Sequence, residues 1–269
     1  MLSRTEPGFS VELFLEALRT EQFGRAVRVV AETASTIDLA REWLRGGEPE
    51  GAVVIAGVQT DGRGRHGRRW ASPRGGLWMS VIARPDLDVA HAGRLGIGLG
   101  LAAAEAMSAE AGCEVGLKWP NDLVIGDRKV GGVLVGAETE GGKLGSAVLS
   151  LGLNVNLSLQ DLPEEVRGSA TTLREETGRD HPIEGLAARV LAELEAIWPS
   201  ILGDGAKLVE RWVPRDVLMG REVSVEIGGT MVRGRGRGID ADGALVVAAD
   251  GGEQVVRAGD VAAVRIAER

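Results

Sequence analysis

A chain of 269 residues, 44% hydrophobic and 26% charged, can bury one large core or a medium and a small one, so two domains of unequal size are expected. A net charge of −8 argues against general affinity for phosphate backbones, because such binding is driven by cationic patches that release counterions. A single cysteine, Cys113, excludes an internal disulfide and a thiolate-rich zinc site, and His66, His91 and His181 lack metal-ligand spacing; no segment approaches the roughly eighteen uninterrupted apolar residues of a bilayer span.

Residues 1–10 hold Arg4 and Glu6 but no apolar stretch before a cleavage site, so no secretory signal is expected and the cytoplasm is the default location. Residues 11–18 read as a short helix and residues 26–30 as a β-branched run, which leaves about one helix ahead of the first core strand. Ser35, Thr36 and Asp38 suggest a capping box that opens a helix through Ala40, Trp43 and Leu44, ended by Gly46 and Gly47. Residues 52–58 and 77–83 are apolar runs bounded by turn residues, as buried strands are, with a polar glycine-rich loop between them. Residues 90–110 mix glycine and alanine with Leu95, Ile97, Leu99 and Leu101, the pattern of a buried helix packed closely on a sheet and closed by Gly112. Cys113 is expected to be a buried structural thiol.

Strand-like segments follow at residues 123–125, 132–135 and 147–155, and residues 183–202 place apolar side chains at helical spacing. Beyond Trp212 and Pro214 the character changes. Residues 222–227, 231–236, 244–248 and 254–257 are short strands separated by glycine turns, which predicts a small all-β domain of the SH3-like barrel kind. The fold class is therefore α+β, with a larger domain over residues 1–213 and a small one over 214–269.

Three segments stand out chemically. Residues 59–70 pack three glycines and four arginines into a chain that is acidic overall. Glycines let backbone N–H groups approach an anion, and arginines supply forked donors that match carboxylate and phosphate; the alternative is an exposed basic turn. Gly62, Gly64 and Gly67 also spell a dinucleotide fingerprint, but a strand rather than a helix follows, which rules that site out. The second segment, Lys118-Trp-Pro-Asn-Asp-Leu123, presents a lysine from a stiff aromatic-proline corner. In the third, Lys129-Val-Gly-Gly-Val-Leu-Val135, paired glycines in a strand mark either close approach of a ligand or backbone, or a bulge. Neither a GxSxG elbow nor a Walker A sequence is present.

In this order GRGRHGRRW, KWPNDL, KVGGVLV, GLNVN at residues 152–156 and an all-β tail resemble the biotin protein ligases, from about Val27 to the C-terminus. The resemblance implies a catalytic domain with a mixed sheet similar to class II aminoacyl-tRNA synthetases, followed by an SH3-like domain. It implies that ATP activates biotin as biotinyl-5'-AMP and that biotin then passes to a lysine of the biotin carboxyl carrier domain of acetyl-CoA carboxylase or a related enzyme. By the same resemblance Gln59, Gly62, Arg63, Gly64, Arg65, His66, Gly67 and Arg68 enclose biotin and the adenylate. Trp70 and Asn154 border the nucleotide, Gly131 and Gly132 line the biotin pocket, and Lys118 and Arg65 are catalytic. Ser35 and Thr36 match a Ser-Thr-Asn motif that contacts the ureido ring, with Ile37 where the asparagine is expected, and His66 replaces a common arginine.

Mg²⁺ is expected on the triphosphate, with protein ligands that the sequence does not name. There is no room for the N-terminal helix-turn-helix of some members, so no DNA partner is expected, and no membrane partner either; a homodimer is compatible with the sequence. Arg233-Gly-Arg-Gly-Arg237 fits a hairpin of the C-terminal barrel. The rival readings are a lipoate or octanoate ligase or transferase of the same architecture, and a nucleotide-sensing binding protein without turnover.

Overall fold

The computed structural model describes residues 8–227, 230–257 and 261–266. Helix α1 (Val11–Ala17), capped by Ser10, precedes strand β1 (Val27–Thr33), and helix α2 (Thr36–Arg45) carries the chain to β2 (Val53–Gln59), which pairs parallel with β1. All other neighbours in the main sheet are antiparallel. Strands β3 (Leu77–Ala83), β4 (Leu87–Asp88), β5 (Gly116–Lys118), β6 (Asp122–Ile125), β7 (Arg128–Glu140) and β8 (Lys143–Leu153) complete it, in the order β1-β2-β3-β8-β7-β6-β5 with β4 beside β8.

Side chains alternate between the two faces of this sheet. On one face Val53, Ile55, Met79, Val81, Leu149 and Val133 join the main core with helices α3 (Gly93–Ala111) and α6 (Ile183–Leu202). On the other, Val54, Ile82 and Val148 meet Ile37 and Ala40 of α2. Strands buried on both faces have no polar side, which is why residues 52–58 and 77–83 read as continuous apolar runs.

The small residues of α3 serve a different neighbour from the one expected. A Cβ on Gly98 would stand 2.3 Å from Ile201 of α6, whereas one on Gly96 would lie 3.9 Å from Val135 of β7, so the tightest approach is helix to helix and not helix to sheet. Gly112 closes α3 with a φ of 69°. Cys113 just beyond is half-buried rather than buried, and burial together with the charge of Glu176 pushes its thiol up, away from nucleophilic thiolate character.

Short helices α4 (Glu164–Arg167) and α5 (Leu173–Thr177) lie between β8 and α6, and α7 (Ala206–Trp212) follows α6. The second sheet is antiparallel throughout: β9 (Glu222–Ile227), β10 (Thr230–Ile239), β11 (Leu245–Ala249), β12 (Gly252–Val256) and β13 (Val261–Ile266), in the order β12-β11-β10-β9-β13. Among the described residues no helix is long and apolar enough to cross a membrane.

The turn at residues 240–243 plugs the second sheet into the first domain. Only glycines allow it: a Cβ on Gly93 would stand 2.5 Å from the Asp242 carbonyl oxygen, and one on Gly205 1.9 Å from that of Ala241. Arg94, its side chain 9% exposed, donates to the Gly203 carbonyl at 2.9 Å and to Asp242 Oδ1 at 2.8 Å. His91 Nδ1 lies 2.6 Å from the same carboxylate oxygen, and the buried Trp119 donates its indole N–H to the Gly243 carbonyl at 2.9 Å. Burial raises the Asp242 carboxyl, but the hydrogen bonds and charges of Arg94 and His91 outweigh it and hold the group below its ordinary range.

A carboxyl depressed in the folded state stabilises the fold above its unfolded value, and that stability is lost as pH falls through the folded value. Asp242→Ala also leaves the Arg94 guanidinium buried without its anion, so a loss of about 2 kcal/mol or more in urea unfolding at neutral pH is expected. The gap to wild type should narrow in acid. A variant within about 0.5 kcal/mol of wild type at neutral pH would show the plug to be a passive surface contact.

Candidate active site

Helix α2 covers only part of its face of the sheet. Beyond its N-terminus the sheet lies open and floors a cavity of about 1040 Å³. The floor includes positions without bulk: Gly132 pairs with Gly152 across β7 and β8, and Ser150 beside them is backed by its β3 partner Ser80, which is fully buried behind the floor. The indole of Trp70 rests on this strip, since a Cβ on Gly152 would stand 2.6 Å from its Nε1. Over the indole, 5.0 Å from the ring centroid, lies the ammonium of Lys129.

Lys129 reaches that place because β7 is bulged. Val124 pairs with Lys129 and Leu123 with Gly131, so Val130 is the extra residue. A regular strand would put residues 129, 131 and 133 on one face. With the bulge, Lys129 and Gly132 share the cavity side, and Gly132 leaves the lysine its space: a Cβ there would meet Lys129 Cε at 3.4 Å. Gly131 instead faces β8, where a Cβ would stand 2.7 Å from Leu153 Cδ2 and 3.0 Å from the Gly152 carbonyl oxygen. The close-approach reading therefore holds at Gly131, whereas the bulge falls on Val130, just ahead of the glycine pair.

The glycine-arginine loop folds as a tight hairpin. Arg63 bridges Arg69, Gly64 donates to the Arg68 carbonyl at 2.7 Å, and a 3₁₀ turn spans Arg65–Gly67 with His66 at φ 56° and Gly67 at φ 71°. Gly62 permits the crossing of the two arms, since a Cβ there would stand 2.3 Å from the Trp70 carbonyl oxygen. Arg63 does more than face the cavity: its guanidinium holds both carboxylate oxygens of Asp38, at 2.9 and 2.7 Å, and so ties the hairpin to the first turn of α2. Burial pushes the Arg65 guanidinium down from its ordinary value, the charge of Asp122 opposes this and Arg68 reinforces it. A guanidinium in such a place stays charged, and it is partly stripped of water.

Opposite the hairpin, Lys118 ends β5 on the cavity wall, next to the buried Trp119 and a cis Trp119–Pro120 peptide. Asn121 is clamped to β7, donating from Nδ2 to the Val133 carbonyl at 3.1 Å and accepting from the Val133 N–H at 2.9 Å. Asp122 accepts from Lys129 Nζ at 2.5 Å. The remaining wall includes Gln160, Leu162 and Ala170; its end is pinned to the bulge by two backbone bonds, the Lys129 N–H donating to the Ser169 carbonyl at 2.7 Å and the Thr171 N–H to the Lys129 carbonyl at 2.9 Å.

Of the residues singled out in the sequence, Thr36, Gln59, Arg63, Gly64, Arg65 and His66 line this one cavity. So do Arg68, Trp70, Lys118, Gly132 and Asn154, the last also donating from Nδ2 to the Thr171 carbonyl at 3.0 Å. Ser35, Gly62, Gly67 and Gly131 are not among the lining residues: Ser35 is fully buried as the N-cap of α2, accepting from the Ile37 N–H, Gly62 and Gly131 are buried and shape the backbone behind the wall, and Gly67 is exposed at the hairpin turn with φ 71°. Lys129, Asp122 and Ser150 line the cavity although sequence reasoning gave them no role there. Lys129 and Asp122 stand inside the two motifs already noted, but their meeting depends on the bulge. The outcome is one cavity that holds the hydroxyl and amide groups of Thr36, Gln59, Ser72 and Ser150 together with the cations Arg65, Arg68, Lys118 and Lys129, of which Lys129 pairs with the Asp122 carboxylate and Arg65 feels its charge.

Residues 29–156 match the biotin/lipoate A/B protein ligase family, and residues 218–263 match the biotin protein ligase C terminal domain. The chain is 37% identical over 248 residues to the biotin--[acetyl-CoA-carboxylase] ligase of Mycobacterium tuberculosis, covering 90% of both chains. It is 29% identical over 246 residues to the bifunctional ligase/repressor BirA of Bacillus spizizenii, with 91% of this chain and 76% of that one covered. Among solved structures, the biotin protein ligase from Aquifex aeolicus in complex with biotin and ATP superposes with a TM-score of 0.76 at 28% identity, over 90% of this chain and all of that one. On these matches, which run through both sheets, the chain belongs to the biotin protein ligase family.

Proposed function

We propose that this chain is an ATP-dependent biotin protein ligase whose loop-lined cavity joins biotin and ATP as biotinyl-5'-AMP and then passes biotin to a lysine of a carboxyl carrier domain. The observation that carries this reading is that Arg65, Arg68, Lys118 and Lys129 line the same cavity as the hydroxyl and amide groups of Thr36, Ser150 and Gln59, with Lys129 paired to Asp122 and Arg65 feeling the charges of Asp122 and Arg68. Adenylation brings two anions together. A biotin carboxylate oxygen forms a bond to the α-phosphorus, and the bond from that phosphorus to the bridging oxygen of pyrophosphate breaks. Cations held on preorganised strands lower that barrier, because they need no reorganisation as charge shifts between oxygens. Lys129, already paired with the Asp122 carboxylate, can exchange that anion for a substrate oxygen. Lys118 and Arg65 line the same cavity, and Trp70, under the Lys129 ammonium, borders the place of the nucleotide.

In the second half-reaction the carrier amine attacks the acyl carbon, AMP leaves, and the amine gives up a proton. The hairpin of residues 62–69 shields the anhydride from water until then. Mg²⁺ suits the site as a passenger on the triphosphate, where it would offset phosphate charge. Among the described residues no group of three or more His, Cys, Asp or Glu side chains could hold a metal, and Mg²⁺ ordinarily takes one or two carboxylates plus phosphate oxygens, a place that Asp122 fits. The family that spans residues 29–156 includes lipoate ligases, whereas the C-terminal match at 218–263 is to biotin protein ligases, which favours biotin over lipoate. We read the larger domain, to about residue 213, as class II synthetase-like, the five-stranded sheet as SH3-like, the acceptor as a carboxylase carrier domain, and the cytoplasm as the place of work.

Exchange of labelled pyrophosphate into ATP should depend on biotin and not respond to lipoate; lipoate-dependent exchange, or none, would overturn the assignment. Lys129→Ala and Lys118→Ala should each slow it at least about tenfold, roughly 1.4 kcal/mol, with unchanged melting temperature, and a wild-type rate would remove that lysine from the reacting site.

Arg65→Gly separates making the adenylate from keeping it. The variant should still form biotinyl-5'-AMP but release it about tenfold faster in a pulse-chase against unlabelled biotin, since a charge-assisted hydrogen bond to phosphate is worth about 1.5–3 kcal/mol. An unchanged adenylate lifetime would make Arg65 a bystander.

A further inference from the structure

Along one wall of the cavity Ser150, the buried Ser80, Thr36, Gln59 and Ser72 form one hydrogen-bonded chain, and a single backbone group sets its direction. The Thr36 N–H lies 2.8 Å from Gln59 Oε1 and can only donate, so the oxygen of that amide faces Thr36 and the nitrogen faces Ser72 Oγ, 2.8 Å away. An amide oxygen can only accept, so the Thr36 hydroxyl, 3.1 Å from it, donates to it. A hydroxyl has one proton. Ser80, 2.8 Å from Thr36 Oγ1, must therefore donate to Thr36, and Ser150, 2.9 Å from Ser80 Oγ, must donate to Ser80.

Ser80 is fully buried and does not reach the cavity, but Ser150 and Thr36 line it. With their protons committed inward, both present lone pairs only. We infer that Ser80 and Ser150 are specificity-determining residues, which fix the hydroxyl protons so that this wall of the cavity accepts hydrogen bonds and selects a ring bearing N–H donors. Gln59, on the same wall, keeps the second proton of its amide nitrogen for a carbonyl. Two acceptors and a donor complement a cyclic urea, with its two N–H groups and one C=O. An alkyl chain or a dithiolane would leave the acceptors desolvated and unpaired, which sites of this kind reject strongly. Ile37 lines the cavity as well, but it carries no polar side-chain atom and packs with Ala40, Val54, Ile82 and Val148, so polar side-chain recognition falls to Thr36, Gln59 and the serine-bearing strands.

The inference rests on the biotin reading, and its test keeps the two apart. Biotin-dependent pyrophosphate exchange is compared with exchange driven by the two cyclic carbamates in which one or the other ureido N–H is replaced by oxygen. Wild type should prefer biotin over at least one carbamate by about tenfold or more in kcat/KM, because an ether oxygen set against a fixed lone pair loses the hydrogen bond and meets repulsion. Ser150→Ala should raise the KM for biotin about fivefold, leave the KM for ATP unchanged and collapse that preference. Ser80→Ala frees the Ser150 proton to donate, so it should collapse the preference while biotin is still used; should this variant fail to fold, Ser150→Ala and Ser150→Gly decide alone. An unchanged preference in a folded Ser150→Ala enzyme that still uses biotin overturns the relay and leaves the biotin reading standing. Wild type without biotin-dependent exchange overturns both.

Discussion

The arrangement depends on a strip of sheet that carries no bulk. Across β3, β8 and β7 the face beside α2 is apolar where the helix covers it, and beyond it the small residues Ser80, Ser150, Gly152 and Gly132 form a strip between the bulky side chains of Trp78 and Leu134. A Cβ at 152 would expel the Trp70 indole, and one at 132 would press on the Lys129 side chain. The strip is thus a negative mould: Trp70 lies on it, Lys129 lies over Trp70, and Asp122 holds Lys129. One bulged residue, Val130, brings the lysine onto the strip.

The second sheet acts on the same place from behind. Its turn at residues 240–243 accepts the indole N–H of Trp119, and the chain entering it pairs along β5, with Val217 donating to the Leu117 carbonyl at 3.1 Å. Lys118 sits between those two attachments. The turn and the chain entering the second sheet thus hold the backbone on both sides of a cation that lines the cavity.

Much of this was legible in the sequence where one local force dominates. Helix α6 and strands β3 and β9 occupy the residues that their apolar patterns indicate, because burial alone sets them. β7 and β8 extend past the expected residues 132–135 and 147–155 toward their shared turn, because residues 138–143 are exposed there and carry no apolar signal. Strands β4, β5 and β13 and helix α7 went unassigned: the first two have three residues or fewer, and β13 depends on β9, far away in sequence. The cavity was legible as motifs rather than as geometry. Glycine-arginine spacing marked the loop that lines the cavity, but no local pattern revealed that Arg63 would be tied to Asp38, or that a bulge would deliver Lys129 instead of leaving Lys118 as the only lysine of note.

The central claim is chemical: the cations above this strip join a carboxylate to an α-phosphate and keep the product. Mass spectrometry of the protein saturated with biotin, ATP and Mg²⁺ and then denatured tests it most directly. The account predicts biotinyl-5'-AMP released in an amount close to that of the protein, with pyrophosphate in solution. Recovery of unreacted biotin and ATP alone would contradict it.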